Sequence, residues 1–474
     1  MSVLRARPSH KPKRALRSPL GRRSEPDLAK RPSGAMVSHE EAPHLTPGPD
    51  PASAARVDSE SEYQTFIERN LSRNYAAHVF HGLLGQTGFR LVNAPTFLPA
   101  YVLLLSGSEF VVGLARSIQY LGMFLSPLIA ANLIEHRRRV LPIGFLTGGL
   151  MRLQVLGLAL AGLFLAPETA VQAICFFLFL FGFFMGMQGV IFSYLMSKVI
   201  PVERRGRLLG LRNALAGITA AIVAYLGGDL LVEQNFLGDG YAATFLLAFV
   251  LTSLGLGMLL FVREPQPPEV RPPSQLFQRL RELPALFRAD RAYTYYFLCR
   301  ALATMGRMAT PFYIVYARDT IGLTGTTIGI LSTAFVAANS VSNLGWGVMA
   351  DRTGFRQVFV VTIVLWIASV LGMIVSTSLA GFVLAFVGIG AGMGGFQMAA
   401  QNMVLEFGSR EDLPIRIAVA NSAQEAVGAI GPLLGGLLAV AFGLDIVFAV
   451  AIAFQVAAIA LVLSRVDEPR HRAA

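Results

Sequence analysis

Cysteine is nearly absent: the 474-residue chain has two, Cys175 and Cys299. Both lie in apolar stretches, which argues against a disulfide framework or a thiolate metal site. Charge is scarce as well. Charged residues make up 15% of the chain, where a soluble domain carries about a quarter. Acids are fewer than bases, 29 against 40, leaving a formal net charge of +11. The sequence holds no Walker-type phosphate loop, so it brings no nucleotide-hydrolysing engine of its own. Its apolar stretches also lack the paired acids, Ser–His pairs or clustered histidines that an intramembrane enzyme needs. No catalytic activity, cofactor or metal is expected.

What is present is apolar. Hydrophobic residues make up 54% of the chain, and the mean hydropathy is +0.56. Between residues 75 and 464 the sequence falls into twelve apolar runs of about 20–30 residues, each long enough to cross a hydrocarbon core as a helix. The expected class is an all-α polytopic membrane protein whose first partner is the lipid bilayer. One long polar interruption, "REPQPPEVRPPSQLFQRLRELPALFRADR" (263–291), divides six runs from six. Residues 1–74 are rich in Pro, Ser and Arg without apolar periodicity and read as a disordered basic tail. They lack a signal-peptide apolar core, so the first helix is expected to direct its own insertion, and Met36 is an alternative start. The expected organisation is a tail (1–74), an N-terminal six-helix bundle (75–262), a central loop (263–291), a C-terminal six-helix bundle (292–464) and a short tail (465–474).

The placement of the bases explains the net charge. They cluster in residues 1–74 and in alternate loops: Arg137–Arg139, Lys198–Arg212, Arg263–Arg291, Arg352 with Arg356, and Arg410 with Arg416. The opposite loops hold Glu109, Glu168, Glu233, Asp239 and Asp445 with one base, Arg318. The positive-inside rule then puts both termini in the cytoplasm of a multi-pass protein of the cell membrane. Topology accounts for the charge, and no nucleic-acid partner is expected.

Spacings recur between the halves. Gly113 precedes Glu135 by the same interval as Gly329 precedes Asp351. Gln188–Arg207 repeats as Gln397–Arg416, and Asn213–Gly227 as Asn421–Gly435. "TGFRLVNAP" (87–95) is similar to "MGRMATP" (305–311) with one residue dropped. These matches keep helix order, which points to an internal duplication.

The seam "GVMADRTGFR" (347–356) resembles the loop signature G-x-x-x-D-R-x-G-x-[RK] of the major facilitator superfamily and lies between helices 8 and 9, where that family has it. "GPLLGG" (431–436) in helix 11 agrees. The resemblance covers about residues 75–464 and implies two pseudo-symmetric six-helix bundles that work by alternating access. It also implies that Asp351, Arg352, Gly354 and Arg356 form a cytoplasmic latch. The matching loop in the first half, "ANLIEHRRR" (131–139), is degenerate, with Glu135 in place of the acid. Physics alone gives the seam a reason: Asp351 sits at a helix C-terminus, where the dipole disfavours an anion and asks for compensation. A tight topogenic turn with basic flanks is the rival reading.

Five arginines fall within the apolar runs, at Arg90, Arg116, Arg152, Arg300 and Arg307, against one acid near a helix midpoint, Glu425. A central arginine costs roughly 2.5–3.5 kcal/mol on insertion scales, so most must face a wet cavity or a partner. Arg116 and Arg300 lie nearer helix ends, where snorkelling competes, and His78 and His81 read as interfacial. Arg90 and Arg307 lie at matched depth, followed by Pro95 and Pro311. In the family that this chain resembles, helices 1, 4, 7 and 10 line the cavity. Two guanidiniums facing each other there make a fork for carboxylate or phosphate, an arrangement similar to that of members carrying organic phosphates. Pairing with Glu425 or with backbone carbonyls is the alternative. Gln188 and Gln397 join as substrate-binding candidates, with interhelical hydrogen bonding as their rival role. Glu425 is either the proton-coupling group or half of a static ion pair.

The leading expectation is a monomeric secondary transporter of a small anionic organic solute, with H+ as a candidate coupling ion. A multidrug or lipid/lysolipid exporter of the same fold is the alternative, although the glycine-proline pair frequent in helix 5 of drug exporters is replaced by Val223 and Ala224. A transporter-like sensor or assembly factor is the alternative from another class.

Overall fold

The structure is a computed structural model that describes residues 51–135, 137–266, 287–288, 290–404, 407 and 413–466. Two units are distinguished: residues 1–53, of which only the first turn of a helix is described, and residues 54–474. Helix is the only regular secondary structure among the described residues. In chain order the helices are α1 (Pro51–Asn93), α2 (Phe97–Ser106), α3 (Glu109–Glu135), α4 (Leu141–Phe164), α5 (Pro167–Val199), α6 (Val202–Leu226) and α7 (Gly240–Met258). After the central loop come α8 (Arg291–Met305), α9 (Tyr313–Ile321), α10 (Gly325–Thr353), α11 (Phe355–Ile374), α12 (Leu379–Met403), α13 (Leu413–Phe442) and α14 (Leu444–Arg465).

Among the described residues eleven spans are long and apolar enough to cross a membrane. The twelfth expected crossing, at the start of the second half, is broken. There α8 runs into a 3-10 stretch, Gly306–Phe312, before α9. Pro311 cannot donate to the ladder, and a 3-10 stretch absorbs the mismatch. The first crossing is broken at the equivalent place, where Pro95 disfavours helical geometry at Ala94 and separates α1 from α2. The duplication seen in the sequence thus extends to the breaks.

The N-terminal tail is shorter than expected. Its boundary at residue 74 falls inside α1, which is helical from Pro51. Polar composition hides a helical stripe: Ile67 and Asn74 are buried and Leu71 packs beside them, spaced by four and three. Asn74 donates to the Arg263 carbonyl at 3.1 Å and accepts from its N–H at 2.8 Å, while Arg73 Nε donates to the Phe261 carbonyl at 2.7 Å. These bonds fasten the middle of α1 to the end of the first half. Residues 1–50, residues 267–286 of the central loop and residues 467–474 lie outside the described residues.

Within the first half α3 packs on α5, and α4 on α5 and α7; within the second, α12 packs on α10 and α11, and α8 on α14. The halves meet along two seams, α3 with α13 and α6 with α10. Small residues allow both. A Cβ on Gly113 would lie 2.3 Å from the Pro432 carbonyl and 3.1 Å from Gly436. On Gly329 it would lie 2.9 Å from the Tyr225 carbonyl and 3.2 Å from Gly228. Ser117 donates to the Ala429 carbonyl, and Thr333 to the Ala221 carbonyl at 2.8 Å. Gly113 and Ser117 correspond to Gly329 and Thr333 in the repeat, and Ala221 and Gly228 to Ala429 and Gly436. One contact is made twice, by a pseudo-two-fold axis.

These contacts sit toward the end of the bundle whose loops carry acids. Toward the basic end the α6–α10 seam parts: a Cβ on Gly210, Gly345 or Gly347 would touch nothing within 4 Å.

Candidate functional site

Between the halves lies a cavity of about 410 Å³, lined by both breaks and by α3, α10, α12 and α13. Closed by the seams at the acidic end, it reaches toward the basic end as far as Gln401, which is exposed. Arg90 and Arg307 both line it, with Gln397 and Glu425.

Each of the two arginines reaches across to the other half. Arg90 Nη1 donates to the Ser340 hydroxyl on α10 at 2.7 Å. Arg307 Nη2 donates to the Tyr120 hydroxyl on α3, and its guanidinium lies 4.9 Å from the centre of that ring. A Cβ on Gly217 would lie 2.5 Å from that of Ser340 and 3.2 Å from Arg90 Nη1, so only glycine lets α6 approach here. Arg307 is buried, and its Nε holds no hydrogen bond among the described residues. Glu425 Oε2 is likewise buried without a partner. Among the described residues Glu425 makes no ion pair within 4 Å; the charges acting on it are Arg307 and Arg300. The static Arg–Glu425 pair considered for the sequence is therefore not formed in this conformation.

Arg116 and Arg300 do not snorkel. Arg116 donates to the Asn93 carbonyl and to Gln119 Oε1, both at 2.8 Å, and Gln119 Nε2 donates to Asn93 Oδ1 at 2.8 Å. Asn93 ends α1, so its carbonyl is one of those orphaned by the Pro95 break, and the buried guanidinium satisfies it. Arg300 donates to Asn421 Oδ1 at 2.9 Å and to Gln424 Oε1 at 2.6 Å. Both arginines are buried, and they brace the walls of the cavity.

Other candidates lie elsewhere. Gln188 is not at the cavity; it accepts from the Thr147 hydroxyl at 2.9 Å inside the first half. Arg152 donates to the Thr252 and Gly148 carbonyls at 2.6 and 2.7 Å. His78 and His81 are buried rather than interfacial, and Arg212, which the sequence groups with a basic loop, is buried beside them. Sequence reasoning missed this cluster because α6 already begins at Val202, so the polar run is helix rather than loop.

At the seam, α10 ends at Gly354 (φ 88°), a left-handed conformation that suits glycine, and its N–H closes on the Ala350 carbonyl at 2.9 Å. Asp351 and Arg352 are exposed. Arg356 Nη2 donates to the Leu463 carbonyl at 3.1 Å, on the last turn of α14, where a cation complements the helix dipole. Glu135 ends α3, and its side chain lies outside the described residues. Two further ion pairs anchor the basic end. Lys198 Nζ lies 2.5 Å from Glu264, whose carboxylate also accepts from the Val140 and Leu141 N–H groups and so caps α4. Arg416 Nη1 lies 2.5 Å from Asp290, the cap of α8. Burial works to raise the Asp290 carboxyl, but the Tyr293 N–H and the Arg416 guanidinium outweigh it and hold it below the usual carboxylate range.

A family model described as Major Facilitator Superfamily matches residues 83–299 and 296–474. The chain matches no curated protein by sequence. Its fold is similar to that of the nucleoside transporter NupG, at 13% identity over 82% of this chain and 100% of that one, with a TM-score of 0.66. It is similar as well to the human organic anion transporter MFSD10 (TETRAN), at 13% identity over 82% and 99% of the two chains and a TM-score of 0.60. A bacterial homolog of the human lysosomal transporter Spinster, inward-facing and unoccupied, gives 14% identity over 85% and 94% and a TM-score of 0.56. At these identities the likeness concerns the fold.

Proposed function

The chain belongs to the major facilitator superfamily, and from that premise we propose that it is a secondary transporter of a small, anionic organic solute. The observation that carries the reading is the pair Arg90 and Arg307, one from each half, opening on one cavity with a hydroxyl as the only hydrogen-bond partner of each guanidinium among the described residues. Neutral hydroxyls leave both charges uncompensated, and a buried charge persists only when paired, hydrated or used. A carboxylate or phosphate entering from the basic end takes the place of Ser340 and Tyr120. Because those two bonds cross between the halves, the same exchange loosens the contact that the halves make around the cavity.

Glu425 is the proton-coupling candidate. Its buried Oε2, without a hydrogen-bond partner among the described residues, is the atom on which a coupled proton would be carried as the halves rearrange. The basic end is read as cytoplasmic by the positive-inside rule, so the conformation described here is the one that loads from or releases to the cytoplasm. Asp351, Arg352, Gly354 and Arg356 are read as the latch that closes the basic end in the opposite conformation. In the conformation described here Asp351 and Arg352 stand exposed.

The test is a screen of anionic metabolites for thermal stabilisation of the purified protein, followed by flux in proteoliposomes. An anion that binds the folded state raises the melting temperature and should lose that effect in Arg90→Gln and Arg307→Gln variants. A best substrate that is a cation, or that still binds with unchanged affinity when both arginines are replaced, sinks the reading.

A further inference from the structure

Outside the central cavity the first half buries a second group of cations. His78 and His81 lie one turn apart on α1, and Arg212 on α6 folds across Gly82, the residue after His81, where a Cβ would lie 2.1 Å from its Nε. All three gather on one ring. The Arg212 guanidinium lies 4.4 Å from the centre of Phe192, the His81 ring stacks on it at 5.2 Å, and the His78 ring meets it edge-on at 5.4 Å. His78 is fully buried, and Arg212 and His81 are 3% and 8% exposed. Both ring nitrogens of His78, Nδ1 of His81 and Nε of Arg212 are sealed from solvent without a hydrogen bond. None of these residues lines the central cavity.

The cluster lacks an anion. Arg152, the next cation on α4, is satisfied by two backbone carbonyls and by the face of Phe89 at 5.3 Å. Among the described residues Arg212 has an aromatic face and no hydrogen-bond acceptor. From α5 the cluster meets the Phe192 ring, and from α7 the Gly255 backbone packs against Gly85 and the His81 carbonyl. The charged or titratable groups acting on the histidines are thus Arg212, Arg152 and each other. Among the described residues no carboxylate lies within 4 Å of any of them.

We infer that Arg212, His81 and His78 form a second anion site, within the first half, that holds one chloride-sized inorganic anion together with a proton. The polar atoms of the cluster that are not sealed are the terminal nitrogens of Arg212 and Nε2 of His81, so an anion makes its contact there. The sealed remainder leaves no room for an organic solute. A proton on either imidazole meets the charges of Arg212 and Arg152; a bound anion cancels that repulsion, so the two enter together. The site stands independently of the solute proposed for the central cavity.

The experiment uses the full chain in detergent, as an Arg90→Gln/Arg307→Gln double variant so that the central fork is silent. Melting is followed in chloride against gluconate at constant ionic strength, and proton uptake with an indicator dye near pH 7. At a hundredfold excess over Kd, chloride should raise the melting temperature by about 3 °C, with protons taken up from solution. Arg212→Gln should lose both responses, and His78→Gln/His81→Gln should lose the proton uptake. Should Arg212→Gln fail to fold, bromide-soaked crystals of the unsubstituted protein should show an anomalous peak beside Arg212. A chloride response that survives Arg212→Gln, one without proton uptake, or no bromide peak overturns the site. A response that appears only with Arg90 and Arg307 intact assigns the anion to the central cavity, overturning this site while leaving the transport reading standing.

Discussion

The two halves repeat each other at the seams and differ behind them. Gly113 and Ser117 meet α13 as Gly329 and Thr333 meet α6, and each half breaks its first crossing near a proline. Behind that shared frame, the second half gives its buried arginines side-chain partners: Arg300 has Asn421 and Gln424, and Arg416 has Asp290. The first half satisfies Arg116 and Arg152 largely with backbone carbonyls and leaves Arg212 to an aromatic ring. In the proposed alternating-access cycle both seams open and close together, which holds them to the symmetry. What each bundle keeps inside is free to diverge.

The largest expected effect comes from breaking the symmetric part. A side chain at Gly113 meets the Pro432 backbone carbonyl, which cannot swing aside, and at Gly329 it meets three backbone atoms at slightly longer range. Gly113→Val and Gly329→Val should both hold the acidic end open and reduce flux to background while the protein still reaches the membrane, with Gly113→Val the more severe. Cross-linking of cysteine pairs across each seam reports the state directly. Normal flux in either variant removes the seams from the transport cycle.

Next come the forks. Arg90→Lys and Arg307→Lys keep the charge and lose the two-pronged geometry, so each should weaken solute affinity by about tenfold, roughly 1.4 kcal/mol. Because Arg307 also stacks on Tyr120, it should be the worse of the two, and Tyr120→Leu should reproduce part of its loss. Equal affinities for wild type and Arg307→Lys in a binding titration would remove it from the site.

The seam loops offer a smaller contrast. A charge at a helix C-terminus is worth about 0.3–1 kcal/mol, so Asp351→Asn should change flux by a few-fold at unchanged expression. Glu135→Gln, in the degenerate copy, should change it less. If the two are equally damaging, the ranking of the loops is wrong.

Much of this architecture was legible in the sequence because the bilayer imposes it. A fixed hydrocarbon thickness sets run length, the charge bias sets the loop pattern, and a charge in an apolar run asks for a partner. Arg90, Arg307, Gln397 and Glu425 meet at one cavity on that logic. Illegible were the partners supplied by geometry. Nothing in the spacing says that Arg116 will take the carbonyl freed at Asn93, since the break at Pro95 and the reach from α3 arise only once the helices pack. Gln188 and Gln397 match in the repeat but not in surroundings, because Thr147 has claimed the former. His78 and His81 read as interfacial if the first helix starts at residue 75, whereas α1 begins at Pro51 and packing against α5 and α6 buries both.

The smallest expected effect separates the two basic-end ion pairs. Glu264 and Lys198 are nearly sealed, whereas Asp290 keeps about a quarter of its side chain exposed at 26%. Solvent therefore screens the second pair, and its contribution should be slight. Its sign is fixed all the same. The Asp290 carboxyl is held below its ordinary value, so its stabilisation is present above the unfolded carboxyl pKa of about 3.9 and is lost as pH falls through the lower folded value. Asparagine still caps a helix, so Asp290→Asn removes the charge and keeps the bond to the Tyr293 N–H. The melting temperature of wild type should exceed that of Asp290→Asn by a small, constant margin from pH 7 to pH 5, and the margin should close below pH 4. Glu264→Gln at neutral pH should cost far more, because it leaves the Lys198 ammonium buried opposite a neutral amide. A larger loss for Asp290→Asn than for Glu264→Gln would mean that burial does not rank these pairs, and that the second half depends on its cap more than its exposure suggests.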